Sequence, residues 1–288
     1  MIEQRQIGEY RLRAAFDEGG RGLPLVLCNG WGSNLEVFDP LVEALADRPV
    51  LRFDVPGIGG SERPALPLRL PALASLVEAL LRSYGIERAD VFGYSWGGTL
   101  AQELARRNPD RVRRLVLAAT STGHLMVPAP PRILPAFADS RWLTNWRRPR
   151  RFFEREFACR VGPRLFGGER LRRNPMAILP VLRKLERPST RAMAWQVAGA
   201  FGWTSLHWLH RLNQPTLILA GDDDRVINPI NPMLLAWRIP DARLRWVRGG
   251  HLFPVLDAVE RTAEHMRTFL DEKDKVVPFG GRKWRATG

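Results

Sequence analysis

The chain has 288 residues, 45% of them hydrophobic, and a formal net charge of +14 at pH 7. This length can bury a full core, so both one large domain with an insertion and two separate domains are open. No apolar run approaches the roughly 18 residues that a membrane helix needs, and the charged start "MIEQRQIGEYRLR" lacks the apolar region of a signal peptide. The only cysteines, Cys28 and Cys159, fit a reducing compartment better than a disulfide framework. These features predict a cytoplasmic protein.

The positive charge raises the question of nucleic-acid binding. All but four of the 44 basic residues are arginine, and the densest run, "NWRRPRRFFERE", interleaves arginine with aromatic residues. No helix-turn-helix, zinc-finger or RNA-binding signature accompanies that run. We therefore expect no nucleic-acid partner, while a contact between this basic, aromatic surface and something large and apolar or anionic stays open.

Strands and helices alternate along the first 120 residues. "EYRLRAAF" and "PLVLCNG" have strand patterns, "LEVFDPLVEALAD" has helical spacing, and "VLRFDVPGIGGS" is a strand followed by a glycine-rich loop. The amphipathic helix "LPALASLVEALLRSYG" ends at Gly85. The strand "ADVFGYS", the helix "GGTLAQELARRNP" and the strand "VRRLVLAAT" follow.

The same alternation resumes near residue 213 with "PTLILAGDDD", "PMLLAWRIP", "ARLRWVRGG" and "AVERTAEHMRTFL". It predicts an α/β fold with a mostly parallel, doubly wound sheet and helices on both faces. Residues 1–120 and 213–271 would form this core. Residues 272–288 lack periodicity and are expected to be a loose tail.

Residues 121–212 interrupt the rhythm and are predicted to form an inserted helical lid. An insertion between two core strands, at their carboxyl ends, lies over the edge where such sheets bind ligands. Five tryptophans fall within it: Trp142, Trp146, Trp195, Trp203 and Trp208. They could form the lid's own core, or some could line a substrate cleft, because such pockets favour aromatic walls.

The stretch "VFGYSWGGTL" holds the candidate nucleophile. Gly93-Tyr94-Ser95-Trp96-Gly97 has the pattern G-x-S-x-G of a nucleophile elbow, which holds a serine hydroxyl exposed between a strand and a helix. The motif is short and occurs by chance, so it needs support from a base and an acid elsewhere in the chain.

Both partners stand at the expected places. A serine hydroxyl becomes nucleophilic when a histidine, oriented by a carboxylate, accepts its proton. The strand "TLILAG" is followed by Asp222, Asp223 and Asp224, and the strand "RLRWVRG" is followed by His251. Asp224, the third residue after the glycine, is the preferred acid, and the other two aspartates would be solvated or bind loop N–H groups. The remaining histidines, His124, His207, His210 and His265, are expected to pack or cap.

Acyl transfer also needs donors for the oxyanion of the tetrahedral intermediate. The backbone N–H of Trp96, directly after the serine, is one candidate, and that of Trp31 in "NGWGSN" is the other. No cluster of metal ligands and no phosphate-binding loop is visible in the sequence, so we expect neither a metal nor another cofactor.

These stretches together resemble the α/β-hydrolase superfamily over residues 20–270. More narrowly, the chain resembles the intracellular depolymerases of medium-chain-length poly(3-hydroxyalkanoates). The matching stretches are "FDVPGIGGS", "SWGGTLAQ", "LVLAAT", "GWTSLHWLH", "QPTLILAGDDD", "LLAWRIP" and "GHLF". Departures are Tyr94, at a position expected to be small and apolar, Asn228 in place of a frequent proline, and the arginine-rich first half of the lid.

The resemblance implies hydrolysis of 3-hydroxyacyl esters in a stored polyester by Ser95, Asp224 and His251. Three alternatives stay open: a hydrolase of small esters or lactones, an acyltransferase, and a non-catalytic granule-binding protein, which the filled triad positions disfavour. Trp203, Trp208 and Tyr94 are candidate substrate contacts. Residues between Trp142 and Trp208, with Arg147, Arg148, Arg150 and Arg151, are a candidate surface for the insoluble polymer, and association with storage granules would follow.

Overall fold

An eight-stranded sheet forms the centre of the molecule. The computed structural model describes residues 1–131, 154–186 and 189–273. The strands are Ile2–Ile7 (β1), Tyr10–Asp17 (β2), Leu25–Cys28 (β3), Val50–Phe53 (β4), Ala89–Tyr94 (β5), Val112–Ala118 (β6), Thr216–Gly221 (β7) and Ala242–Val247 (β8). Their order across the sheet is β1-β2-β4-β3-β5-β6-β7-β8.

The strands from β3 to β8 run parallel, and β1 and β2 form an antiparallel margin. Strands β3, β5 and β7 are buried along their whole length, as expected for central strands covered on both faces. The predicted mostly parallel sheet is confirmed. Its parallel strands place their carboxyl ends at one common edge, where loops from several strands meet.

Helices cover both faces of the sheet. Their bounds are Asp39–Ala44 (α1), Leu70–Ser83 (α2), Trp96–Arg107 (α3), Gly162–Phe166 (α4), Glu169–Arg173 (α5), Leu179–Lys184 (α6), Thr190–Ala200 (α7), Ile230–Arg238 (α8) and Val259–Leu270 (α9). Buried residues of α1 and α9 belong to one apolar core, and those of α2, α3 and α8 to the other. This two-sided covering is the doubly wound arrangement predicted from the sequence.

The sequence patterns missed β1. Four of its six residues are exposed and the strand pairs only with β2, so it lies at the margin of the sheet and carries no alternating apolar signal. Gly8 makes the turn between the two strands with a φ of +58°.

The segment between β6 and β7 contains α4 to α7, joined by short 3₁₀ and π turns. Its start and end are tied together by an antiparallel bridge between Gly123 and Thr204. Among the described residues, no helix is long and apolar enough to cross a membrane.

Candidate active site

Ser95 lies in a strained turn between β5 and α3. Its φ of +53° and ψ of −120° are rare for a residue with a side chain and cost on the order of 1–3 kcal/mol. The turn is held by a hydrogen bond from the Ser95 N–H to the Ala118 carbonyl (2.9 Å) and by one from the Thr120 hydroxyl to the Ser95 carbonyl (2.7 Å). Contacts with the end of β6 and with the loop that follows it therefore maintain the strain.

Glycines allow α3 to start against the sheet. A Cβ on Gly93 would lie 2.6 Å from the Cβ of Ala101, and one on Gly97 would overlap the carbonyl oxygens of Cys28 and Asn29. One on Gly98 would overlap the Thr120 side chain. Close approach of α3 to β5, to the end of β3 and to the loop after β6 thus requires glycine at these three positions.

Asp224 and His251 meet Ser95 at the carboxyl edge of the sheet. The Ser95 hydroxyl lies 3.1 Å from Nε2 of His251, and Nδ1 of His251 lies 2.9 Å from Oδ2 of Asp224. The other oxygen of Asp224 accepts hydrogen bonds from the N–H groups of Val226 (2.8 Å) and Ile227 (2.9 Å). Because His251 is 5% exposed, its ring is held in a largely dry site in which a serine proton can pass to nitrogen.

The two preceding aspartates point to loops instead. Asp222 accepts a hydrogen bond from the Gly249 N–H (2.9 Å), which joins the loop after β7 to the loop after β8. Asp223 accepts one from the Gly168 N–H (2.7 Å) and pairs with Arg172. Of the three aspartates, Asp224 is the one that contacts His251.

Two aromatic rings enclose the imidazole of His251. Phe166 stacks on the imidazole with ring centres 6.2 Å apart and an interplanar angle of 12°. The ring centre of Tyr94 lies 5.5 Å from that of the imidazole. The backbone N–H of His251 donates to the backbone carbonyl of Phe166 (2.7 Å), and the Tyr94 hydroxyl donates to the backbone carbonyl of His251 (3.1 Å). Ring packing and backbone bonds together restrict the orientation of the histidine.

Residues 166–173 bind the segment between β6 and β7 to the loop after β7, which holds Asp224, and to the loop after β8, which holds His251. Gly167 and Gly168 have positive φ values of +71° and +87° and pass so close to the loops that a Cβ on Gly167 would overlap the Asp223 carbonyl. Arg170 donates to the Leu256 carbonyl (2.6 Å), just beyond the histidine loop. Sequence reasoning missed this contact, although the pair of adjacent glycines in "LFGGE" is a local sign of a tight turn.

The chain is similar to known proteins in sequence and in fold. Residues 24–258 match the model of the alpha/beta hydrolase fold family. The chain belongs to the α/β-hydrolase family. It is 43% identical over 274 residues to the Poly(3-hydroxyalkanoate) depolymerase of Ectopseudomonas oleovorans, covering 94% of this chain and 93% of the relative.

Other similar proteins share the fold and differ in their named substrates. The Pimeloyl-[acyl-carrier protein] methyl ester esterase of Neisseria meningitidis serogroup A is 30% identical over 252 residues, covering 85% of this chain and 76% of the relative. The crystal structure of the enol-lactonase from Burkholderia xenovorans LB400 superposes with a TM-score of 0.77 at 24% identity, covering 94% of this chain and all of that chain. This last likeness concerns the fold alone.

Of the two oxyanion candidates of this α/β hydrolase, Trp96 follows Ser95 directly, and Trp31 follows Gly30, where a Cβ would lie 3.6 Å from the Cβ of Ser95. Trp96 is the first residue of α3, where backbone N–H groups have no acceptor within the helix and the helix dipole is positive. Trp31 follows β3, and its indole N–H donates to the Met193 carbonyl on α7 (3.0 Å). The Gly32 N–H donates to the Gln196 side chain of the same helix (2.8 Å). The loop after β3 is therefore anchored to α7.

The candidate substrate contacts Tyr94, Trp203 and Trp208 all pack against the apolar cores. Tyr94 is 4% exposed and contacts the histidine loop rather than an open cleft. Trp203 donates to Glu103 (3.0 Å), and Trp208 lies under the guanidinium of Arg106. Glu103 and Arg106 lie about 12 Å and about 16 Å along α3 from Ser95, at 1.5 Å per residue. The two indoles pack on that helix and on each other. Contact of Trp203, Trp208 or Tyr94 with substrate stays a prediction.

The other residues singled out in the sequence either make contacts of their own or lie outside the described residues. The ring of His124 packs edge-on against Phe201, and His210 lies 3.4 Å from Arg238. Burial and the nearby Arg261 lower the pKa of His265. Some of the candidate polymer-binding residues lie outside the described residues: Trp142, Trp146, Arg147, Arg148, Arg150 and Arg151.

Proposed function

We propose that this α/β hydrolase cleaves the ester bonds of stored, medium-chain-length poly(3-hydroxyalkanoate) and releases 3-hydroxy acids or oligomers. The observation that carries the proposal is the 43% identity, over nearly the whole of both chains, to a relative named as a poly(3-hydroxyalkanoate) depolymerase. Association of the enzyme with storage granules is part of the same proposal.

In the first half of the proposed mechanism, Ser95 attacks the ester carbonyl carbon while its proton passes to Nε2 of His251, 3.1 Å away. Asp224 accepts the Nδ1–H of His251, which holds the correct tautomer and stabilises the imidazolium that forms. The C–O bond then breaks, and His251 returns the proton to the departing hydroxyl end of the polymer.

In the second half, water attacks the acyl-serine ester with His251 as the base, and the chain leaves with a new carboxylate end. The backbone N–H groups of Trp31 and Trp96 are the proposed donors to the oxyanion in both steps. Each such donor contributes about 3–4 kcal/mol to transition-state stabilisation in a comparable hydrolase.

A second candidate is hydrolysis of small esters on the same residues. The similarity to the pimeloyl methyl ester esterase, at 30% identity, favours it. The two candidates differ in whether a water-insoluble chain must reach Ser95.

Amorphous polyesters with side chains of defined length test the proposal. The protein is incubated with each polymer as particles and with soluble p-nitrophenyl esters, and released 3-hydroxy acids are measured by chromatography. We expect release from medium-chain polymers by the wild type and none by Ser95→Ala. Turnover of soluble esters with no release from any polymer would support the second candidate and overturn the first.

A further inference from the structure

Helix α8 exposes apolar side chains where a surface helix normally carries polar ones. From residue 229 to residue 240, every exposed residue is apolar: Pro229, Ile230, Met233, Trp237 and Pro240. Ile230, Met233 and Trp237, which we call the α8 stripe, are 52%, 55% and 75% exposed. Their spacing of three and four residues places them on one face of the helix.

The opposite face of α8 is buried through Asn231, Pro232 and Leu235, and the Asn231 side chain bonds to the backbone of Val127. The α8 stripe is therefore additional to the face that the fold requires, because an amphipathic helix needs only one apolar side. Single exposed apolar residues are ordinary, but a contiguous stripe of large ones marks a surface that binds something.

Area argues against a second copy of the chain as the occupant. Three side chains of this size, exposed to this extent, present on the order of 400 Å² of apolar surface. A stable dimer interface needs about 800 Å² from each partner. The net charge of +14 further opposes self-association.

Charge around the α8 stripe favours an anionic, apolar surface. Arg238 is the one charged residue of α8, and its guanidinium lies 5.4 Å from the ring centre of Trp237, so a cation stands at the end of the stripe. A polyester surface under hydrolysis has this combination, because its bulk is apolar and each cleaved ester leaves a carboxylate end.

We propose that the α8 stripe docks the enzyme on the surface of the water-insoluble polyester. This inference rests on the proposed function and adds the surface by which the polymer is held. Ile230 follows Asp224 by six residues, so docking through α8 brings the edge of the sheet that holds Ser95 close to the polymer.

The test separates docking from chemistry. The stripe variant combines Ile230→Ser, Met233→Ser and Trp237→Ser. The matched control, Ile2→Ser with Leu66→Ser, removes exposed apolar side chains from β1 and from the loop before α2. Binding to amorphous medium-chain polyester particles is measured by sedimentation in a Ser95→Ala background, and turnover of a soluble p-nitrophenyl ester is measured with Ser95 present.

We expect the stripe variant to bind particles at least about tenfold more weakly, since the hydrophobic contribution scales with buried apolar area, and to keep its soluble turnover. The control should bind like Ser95→Ala alone. Equal binding by all three proteins would overturn the inference while leaving the proposed function intact. Intact binding by Ser95→Ala with no polymer hydrolysis by the wild type would instead refute the proposed function.

Two other occupants of the α8 stripe would also overturn the inference. A concentration-dependent dimer of the wild type, lost in the stripe variant, would assign the stripe to a second copy. Faster tryptic release of residues 274–288 from the stripe variant would assign it to the chain's own C-terminal segment.

Discussion

The strained backbone at Ser95 is maintained by its neighbours and not by its hydroxyl. The bonds that hold the turn involve the Ser95 N–H and carbonyl, whereas the hydroxyl, within the part of the chain that the structure describes, bonds to Nε2 of His251. Removing the hydroxyl should therefore leave the fold unchanged.

We predict that Ser95→Ala lowers ester turnover by about 10⁴-fold or more, with a change in unfolding free energy below about 1 kcal/mol. Initial rates on a soluble ester and urea unfolding of the same preparations measure both quantities. Turnover near that of the wild type would exclude Ser95 as the nucleophile.

The contacts of the neighbouring aspartates separate their effects. Asp224→Asn alters the hydrogen bond to Nδ1 of His251 and should lower kcat by on the order of 10⁴-fold, as the equivalent change does in a serine protease. Asp223→Asn leaves that bond in place and should cost less than about tenfold. A larger loss of kcat for Asp223→Asn than for Asp224→Asn would show that the acid is assigned to the wrong residue.

At the scale of elements, the position of α3 against β3 depends on Gly97. A methyl group there would overlap the backbone carbonyls of Cys28 and Asn29, which cannot rotate away. Overpacking of this kind moves the helix, and with it Ser95 and the N–H of Trp96.

We predict that Gly97→Ala destabilises the protein by about 1–3 kcal/mol and lowers kcat more than it raises KM, because transition-state geometry is disturbed. Gly19→Ala is the matched control, since a Cβ at Gly19 meets nothing within 4 Å. Wild-type stability for Gly97→Ala in urea unfolding would contradict the close packing of α3 on β3.

The contact between Asp223 and residues 166–173 should depend on pH. Burial alone would raise the pKa of Asp223, but the Gly168 N–H and the Arg172 guanidinium outweigh it and lower the pKa below its usual value. The contribution of Asp223 to stability is thus present above the pKa of the unfolded chain, about 3.9, and is lost as pH falls through the lower folded value.

We predict that Asp223→Asn is less stable than the wild type at pH 7, by less than about 1 kcal/mol because the pair is partly exposed. The difference should shrink as pH falls below about 4. Urea unfolding at pH 7, 5 and 3.5 measures it, with Asp222→Asn as a comparison. A difference that grows toward acid would have the wrong sign for a carboxylate with a lowered pKa.

At the scale of the whole molecule, the sequence predicts the fold and brings Ser95, Asp224 and His251 to one edge, because each follows a strand with a clear local pattern. It does not predict that Phe166 stacks on His251 or that Trp203 and Trp208 pack on α3. These contacts join residues 85 to 102 positions apart, and apolar periodicity reports only which face of an element is buried.

The net charge of +14 should strengthen the binding of the molecule to a polymer surface that carries carboxylate ends. We predict that 0.5 M NaCl weakens binding of the Ser95→Ala protein to polyester particles rich in carboxylate ends, because salt screens exposed charges beyond a few ångströms. Particles whose chain ends are esterified should show little change. Equal salt dependence on both particles would remove the electrostatic part of the contact.

The clamp made by residues 166–173 bears on how this enzyme can be re-engineered. A chimera that exchanges the entire stretch between β6 and β7 with that of a relative would discard Phe166, whose carbonyl and ring hold His251. The chimera would then keep Ser95, Asp224 and His251 while losing the contacts that orient the imidazole of His251. Grafts that start after Arg173 preserve this support, so that junction is the natural cut point for transplanting substrate preference.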